Sequence, residues 1–107
     1  MTQKIYLQAA AQIELKEANK EHPMFHSAHE AWAVTKEEVD ECEYELCGMQ
    51  YTMQSMWEDV KDDEPMGDSV QALQDMAYRL AAEAIQVAAM CEKMKQYEEL
   101  QKVTKGC

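Results

Sequence analysis

The chain is poor in everything that builds turns. Of its 107 residues, three are Gly and two are Pro. A multi-stranded sheet needs a turn every few residues, so this scarcity excludes a β architecture. Aromatic residues make up only 7%, which leaves Ala, Leu, Val and the nine Met to fill a core. Cationic charge is also short. Ten Lys and Arg face 21 Asp and Glu, for a net charge of −11. That balance excludes nucleic acid as a direct partner, although anionic phosphates can be bound through intervening divalent ions. There is no apolar run long enough to span a bilayer and no signal-peptide pattern, so we expect a cytoplasmic protein with no membrane partner. No C-x-x-C pair occurs among Cys42, Cys47, Cys91 and Cys107. They are expected to be reduced thiols, with Cys42 and Cys91 as core fillers.

What the chain has in quantity is helix. Thr2 to about Lys20 reads as a first helix, with Thr2 as its N-cap and Ile5, Tyr6, Ala9 and Ile13 as its apolar stripe. Pro23 ends that helix. Ser27 and Glu30 then have the spacing of a capping box. From there Trp32, Thr35, Val39, Cys42, Leu46, Met49, Met53, Met56 and Val60 alternate steps of three and four, a heptad seam that runs through Gly48. The stretch Asp62 to Asp68 is the next turn. A third helix, opening at Pro65 or at Ser69, carries a second seam of Val70, Leu73, Ala77, Leu80, Ala84, Val87, Cys91 and Met94. Lys102 and Lys105 suit its C-terminus. The expected fold is all-α and a single domain over residues 1–107: a short N-terminal helix plus a long antiparallel helical hairpin. The helices are placed at about 2–20, 27–62 and 65 or 69 to 102. The apolar arcs exceed what one hairpin covers, so we expect a homodimer or homotetramer with a four-helix-bundle core.

Glu37-Glu38-Val39-Asp40-Glu41 is the densest acidic stretch on the seam-bearing helix. Glu38 and Glu41 are three apart and share a face beside the seam. Glu83 and Gln86 hold the equivalent flank of the third helix. Carboxylates from both arms of a hairpin suit Mg²⁺ or Mn²⁺, which take oxygen ligands. A solvated acidic face is the competing reading. The register decides whether the two halves meet. A third helix starting at Pro65 brings Glu41 level with Glu83, and a start at Ser69 is expected to leave them more than a turn apart.

Three stretches resemble MazG-like proteins of the all-α nucleoside triphosphate pyrophosphohydrolases, of the small phage or prophage type. They are Phe25-His26-Ser27-Ala28-His29-Glu30-Ala31-Trp32-Ala33-Val34, Glu37-Glu38-Val39-Asp40-Glu41 and Glu83-Ala84-Ile85-Gln86-Val87-Ala88-Ala89-Met90. The family pattern E-E-x-x-E is met by Glu37, Glu38 and Glu41. Its E-x-x-D partner is met by Glu83, with Gln86 in place of the Asp. The resemblance implies Mg²⁺-dependent hydrolysis of a nucleoside triphosphate between the α and β phosphates. It implies metal ligation by Glu38, Glu41 and Glu83, with Gln86 a weaker ligand. It leaves Glu37 and Glu41 as residues for the attacking water and Arg79 and Lys93 as candidates for phosphate oxygens. The alternative is a non-catalytic helical interaction or nucleotide-binding protein on the same scaffold. His22, His26 and His29 straddle the Pro23 loop and form a poor metal set. Trp32, on the seam, reads as core.

Overall fold

The computed structural model describes residues 2–105; the side chains of Thr2, Thr104 and Lys105 are outside the description, so the Thr2 cap and the Lys105 terminus are not addressed, and neither is Cys107. Three helices follow in order: α1 (Thr2–Glu21), α2 (Ala28–Lys61) and α3 (Ser69–Lys105). α2 and α3 form the antiparallel hairpin, and α1 lies on α3 without touching α2. The particle is long, 69 × 30 × 24 Å. None of the helices is long and apolar enough to cross a membrane.

The N-terminus of α2 is capped as its sequence requires. Ser27 Oγ accepts from the Glu30 N–H at 3.1 Å. Glu30 reaches back one residue further than a standard capping box. Its carboxylate accepts from the His26 N–H at 3.0 Å and lies 3.1 Å from His26 Nδ1. α2 then continues unbroken through Gly48. The absence of a side chain there has a use: a Cβ at Gly48 would sit 2.8 Å from Met76 Sδ on α3.

α3 starts at Ser69, yet Glu41 does meet Glu83, against the expected misalignment. The reason lies in the connection. Glu41 with Glu83, Glu45 with Arg79 and Gly48 with Met76 are all symmetric about position 62. Ser69 is therefore level with about Ser55, roughly 9 Å below the end of α2 at 1.5 Å per residue. The link doubles back along the last turns of α2. Asp63 and Gly67 both take left-handed conformations (φ 55° and 58°), and the Glu64 N–H returns to the Asp59 carbonyl at 2.8 Å.

The core is small. Leu15, Phe25, Ala31, Ala89 and Met90 pack together where α1 crosses α3, with Val34, Met94 and Tyr97 against them. This differs from the expected packing in two places. On α1 the buried face is Ala11, Leu15 and Ala18, while Ile5, Tyr6 and Ile13 are exposed. The seam of α2 is also split. Thr35, Cys42, Met49 and Met56 turn toward α3, but Trp32, Val39, Leu46, Met53 and Val60 are exposed. Trp32 is thus not core in a single chain, and neither is Cys91, which is exposed; Cys42 is half-buried. The hairpin interface is rotated from the seam, so that Glu38, Glu45, Thr52 and Asp59 are half-buried beside it.

Candidate metal centre

Position 62 as the fold point places Glu38 and Glu41 of α2 against Glu83 of α3. Each offers a carboxylate oxygen, and the three oxygens lie within 4.8 Å of one another. Glu38 and Glu83 are half-buried and Glu41 is exposed, so the cluster opens to solvent on one side. Glu38 Oε2 is enclosed and meets no N–H or O–H donor among the described residues. An enclosed carboxylate oxygen without a donor is costly unless it is protonated or faces a cation.

The electrostatics agree with that geometry. Burial pushes the Glu38 carboxyl above the usual carboxylate range, and the neighbouring charges of Glu41 and Glu37 push it the same way, against a hydrogen bond with Glu83 that lowers it. Glu41 is raised by its hydrogen bond to Glu83 and by that residue's charge. The three crowded carboxyls therefore bind a shared proton more tightly than the unfolded chain does. Burial, followed by the charges of Glu83, Glu38 and Glu41, also raises the Cys42 thiol. It therefore remains protonated beside the cluster and leaves an oxygen-only donor set.

The linkage sign follows. Both folded-state carboxyls titrate above their ordinary value of 4.5. The fold binds more protons than the unfolded chain in that window, so stability is full below 4.5 and falls as pH rises through the raised values. In EDTA, the Tm difference between wild type and Glu38→Gln is expected to widen from pH 4.5 to pH 7.5, with the variant the more stable. A constant difference across that range would exclude the shared proton. Glu30 acts in the opposite sense. Its bonds to His26 lower it, and that contribution is lost as pH falls below 4.5.

The donor set fits a hard divalent ion. Oxygens on one Mg²⁺ lie at about 2.1 Å from it, hence no more than about 4.2 Å apart. The present spread closes to that by small side-chain movements.

The remaining sequence candidates surround this cluster without joining it. Glu37 is exposed and acts on it only through its charge. The Gln86 amide nitrogen donates to Glu14 of α1 at 3.5 Å, a contact that does not use its carbonyl oxygen. Arg79 does not pair with Glu83. Its Nε contacts both oxygens of Glu45 across the hairpin, at 3.0 and 3.2 Å. Lys93 is only 3% exposed; its Nζ donates to the His22 carbonyl at 2.5 Å and lies 4.7 Å from the centre of the Phe25 ring. Burial lowers the Lys93 pKa. Lys93, Gln86 and Glu38 nonetheless share the wall of one cavity of about 560 Å³, lined also by Phe25, Met90 and the His22–His26 loop.

Glu14 escaped sequence reasoning, because nothing in the pattern places α1 beside Gln86. Lys93 and Glu30 were named from the sequence in other roles, Lys93 for phosphate and Glu30 for the helix cap; the structure shows both also anchoring the His22–His26 loop. Comparisons with protein-family models, with curated proteins and with solved structures find no match to this chain.

Proposed function

We propose that the protein is a Mg²⁺- or Mn²⁺-dependent nucleoside triphosphate pyrophosphohydrolase, cleaving the α–β phosphoanhydride to give a monophosphate and pyrophosphate. The observation that carries this reading is the convergence of Glu38, Glu41 and Glu83 from two helices, one of them bearing an enclosed oxygen that meets no donor. The resemblance to MazG-like proteins over about Phe25 to Met94 supports it. So does the adjoining cavity, which is of a size for a small organic ligand and reaches the cluster at Glu38.

In this reading Glu38, Glu41 and Glu83 hold the ion, with Gln86 able to add its amide oxygen. A bound divalent ion would neutralise phosphate oxygens and lower the pKa of an attacking water. Glu41, the most open of the three, and Glu37 behind it are the carboxylates placed to receive that water's proton. Arg79 engages Glu45 through Nε alone and keeps its terminal nitrogens for a phosphate, whereas the buried Lys93 would have to leave the His22 carbonyl to reach one. The test is release of pyrophosphate from a full panel of ribo- and deoxyribonucleoside triphosphates with Mg²⁺ and with Mn²⁺. Turnover of at least one is expected, and none with any would reject the enzyme.

A second reading is a non-catalytic interaction or nucleotide-binding protein on the same scaffold. The engaged states of Gln86, Arg79 and Lys93 favour it. As an interaction protein it would show no stabilisation by Mg²⁺ beyond that of matched ionic strength. A nucleotide binder would instead bind a non-hydrolysable triphosphate, measurable by calorimetry, without turnover.

A further inference from the structure

Gln86 lies three residues after Glu83 on α3, so the two share a face and the amide stands beside the acidic cluster. It also stands between two cavities. One, of about 560 Å³, it shares with Glu38; the other, of about 290 Å³, it shares with Glu14 and Glu17 of α1. A glutamine amide has two unlike ends. Its nitrogen only donates and its oxygen only accepts, so only the oxygen can meet a cation. The terminal torsion is broad and close to two-fold, which leaves the choice of end to the surroundings.

Glu14 makes that choice. It comes three residues after Ala11 and four before Ala18, both on the face of α1 that packs on α3, and its side chain is half-buried there. Its Oε2 accepts from Gln86 Nε2 at 3.5 Å. At that length the bond itself is weak. The reversed amide, however, would set a carbonyl oxygen against a carboxylate, two acceptors with no proton between them. Among the described residues no Lys or Arg forms an ion pair with Glu14; Lys20 of the same helix takes Glu17.

We infer that Glu14 is a positioning residue of the metal centre: it holds the Gln86 amide by its nitrogen, so that the carbonyl oxygen is the end left for the ion. This rests on the reading of Glu38, Glu41 and Glu83 as that ion's ligands. A carboxylate that accepts from an amide N–H also raises the electron density on the carbonyl oxygen, as carboxylates do for metal-bound imidazoles. Gln86 brings no charge of its own, and Glu14 supplies one through a single hydrogen bond. α1 thereby belongs to the centre although none of its side chains is a ligand.

Calorimetric titration of the nucleotide-free protein with Mn²⁺ tests this. Glu14→Ala is expected to bind Mn²⁺ about 10-fold more weakly than wild type, the low end of the usual cost of removing such a partner. Gln86→Leu is expected to weaken binding at least as much. Adding Glu14→Ala to Gln86→Leu is expected to cost nothing more, because Glu14 acts through the amide. An unchanged Tm in EDTA separates this loss from a loosened α1. If Glu14→Ala lowers that Tm, Glu14→Gln, which keeps the shape of the side chain and removes its charge, takes its place in the same cycle. Glu83→Ala is the reference. Should wild type fail to bind Mn²⁺, or Glu83→Ala bind it equally well, the metal centre fails and the inference with it. Should Glu83→Ala lose binding while Glu14→Ala keeps wild-type affinity, the centre stands and the inference alone is overturned. Equal losses from Glu14→Ala with and without Gln86 overturn it too, since Glu14 would then act only as a charge at a distance.

Discussion

Glu83→Ala and Glu38→Ala are each expected to abolish the rise in Tm that Mg²⁺ or Mn²⁺ brings, and pyrophosphate release with it. Two carboxylates in place of three leave a hard cation with too few charged ligands to displace its water. Changes in outer-shell partners alone typically cost 10–100-fold in metal affinity, so loss of a direct ligand is expected to exceed about 100-fold. The metal-free proteins should move the other way. Glu38→Ala removes a carboxyl raised chiefly by its own burial, and Glu83→Ala removes the group that raises Glu41, so both variants are expected to be more stable than wild type in EDTA at pH 7.5. The crossing of the two Tm series, variant above wild type without metal and below it with metal, is the signature. Parallel series, with an undiminished Mg²⁺ response in both variants, would remove the metal centre from consideration.

Phe25→Ala is expected to cost about 3–5 kcal/mol, the usual range for truncating a buried aromatic, in a fold whose total stability is of order 5–15 kcal/mol. Phe25 is 6% exposed and contributes at three places at once. It packs edge-on against Tyr97 of α3 with ring centres 6.5 Å apart, it lies in the cluster with Leu15 of α1 and Ala31 of α2, and its face receives the Lys93 ammonium. It is thus the side chain through which the loop holds all three helices. Lys93→Met separates packing from charge. It keeps the buried alkyl body and removes the bond to the His22 carbonyl and the contact with the ring, for an expected loss of about 1–2 kcal/mol. Urea unfolding midpoints measure both. A Phe25→Ala cost smaller than that of Lys93→Met would mean that the loop is held by its polar anchors and not by its core residue.

The helices were legible because their signals are local. The Ser27 cap, the three-four spacing from Trp32 to Val60 and the breaker at Pro23 depend on neighbours only a turn away. The acidic pair Glu38 and Glu41 was legible for the same reason, and Glu83 by its matching flank on α3. Register was not. Whether Glu41 meets Glu83 depends on the path of residues 62–68, and helix periodicity carries no information about a link that doubles back. The seam misled in a different way. A heptad pattern reports that two positions per seven are buried against something, without saying what. In one chain the inward position finds α3, and the outward one does not find it. The same ambiguity hid the true inner face of α1, where small Ala11 and Ala18 allow the closer approach that Ile5 and Ile13 would prevent.

α1 has a consequence of its own. It packs against α3 through Ala11, Leu15 and the half-buried Ala18, while most of its first two turns are exposed. Ala89 and Met90 of α3 lie in the core beneath it, and Ala18 and Glu21 form part of the wall of the cavity beside Glu38. Lifting α1 would therefore expose the core and widen that cavity together. Native-state hydrogen exchange of the α1 amides measures how often this happens.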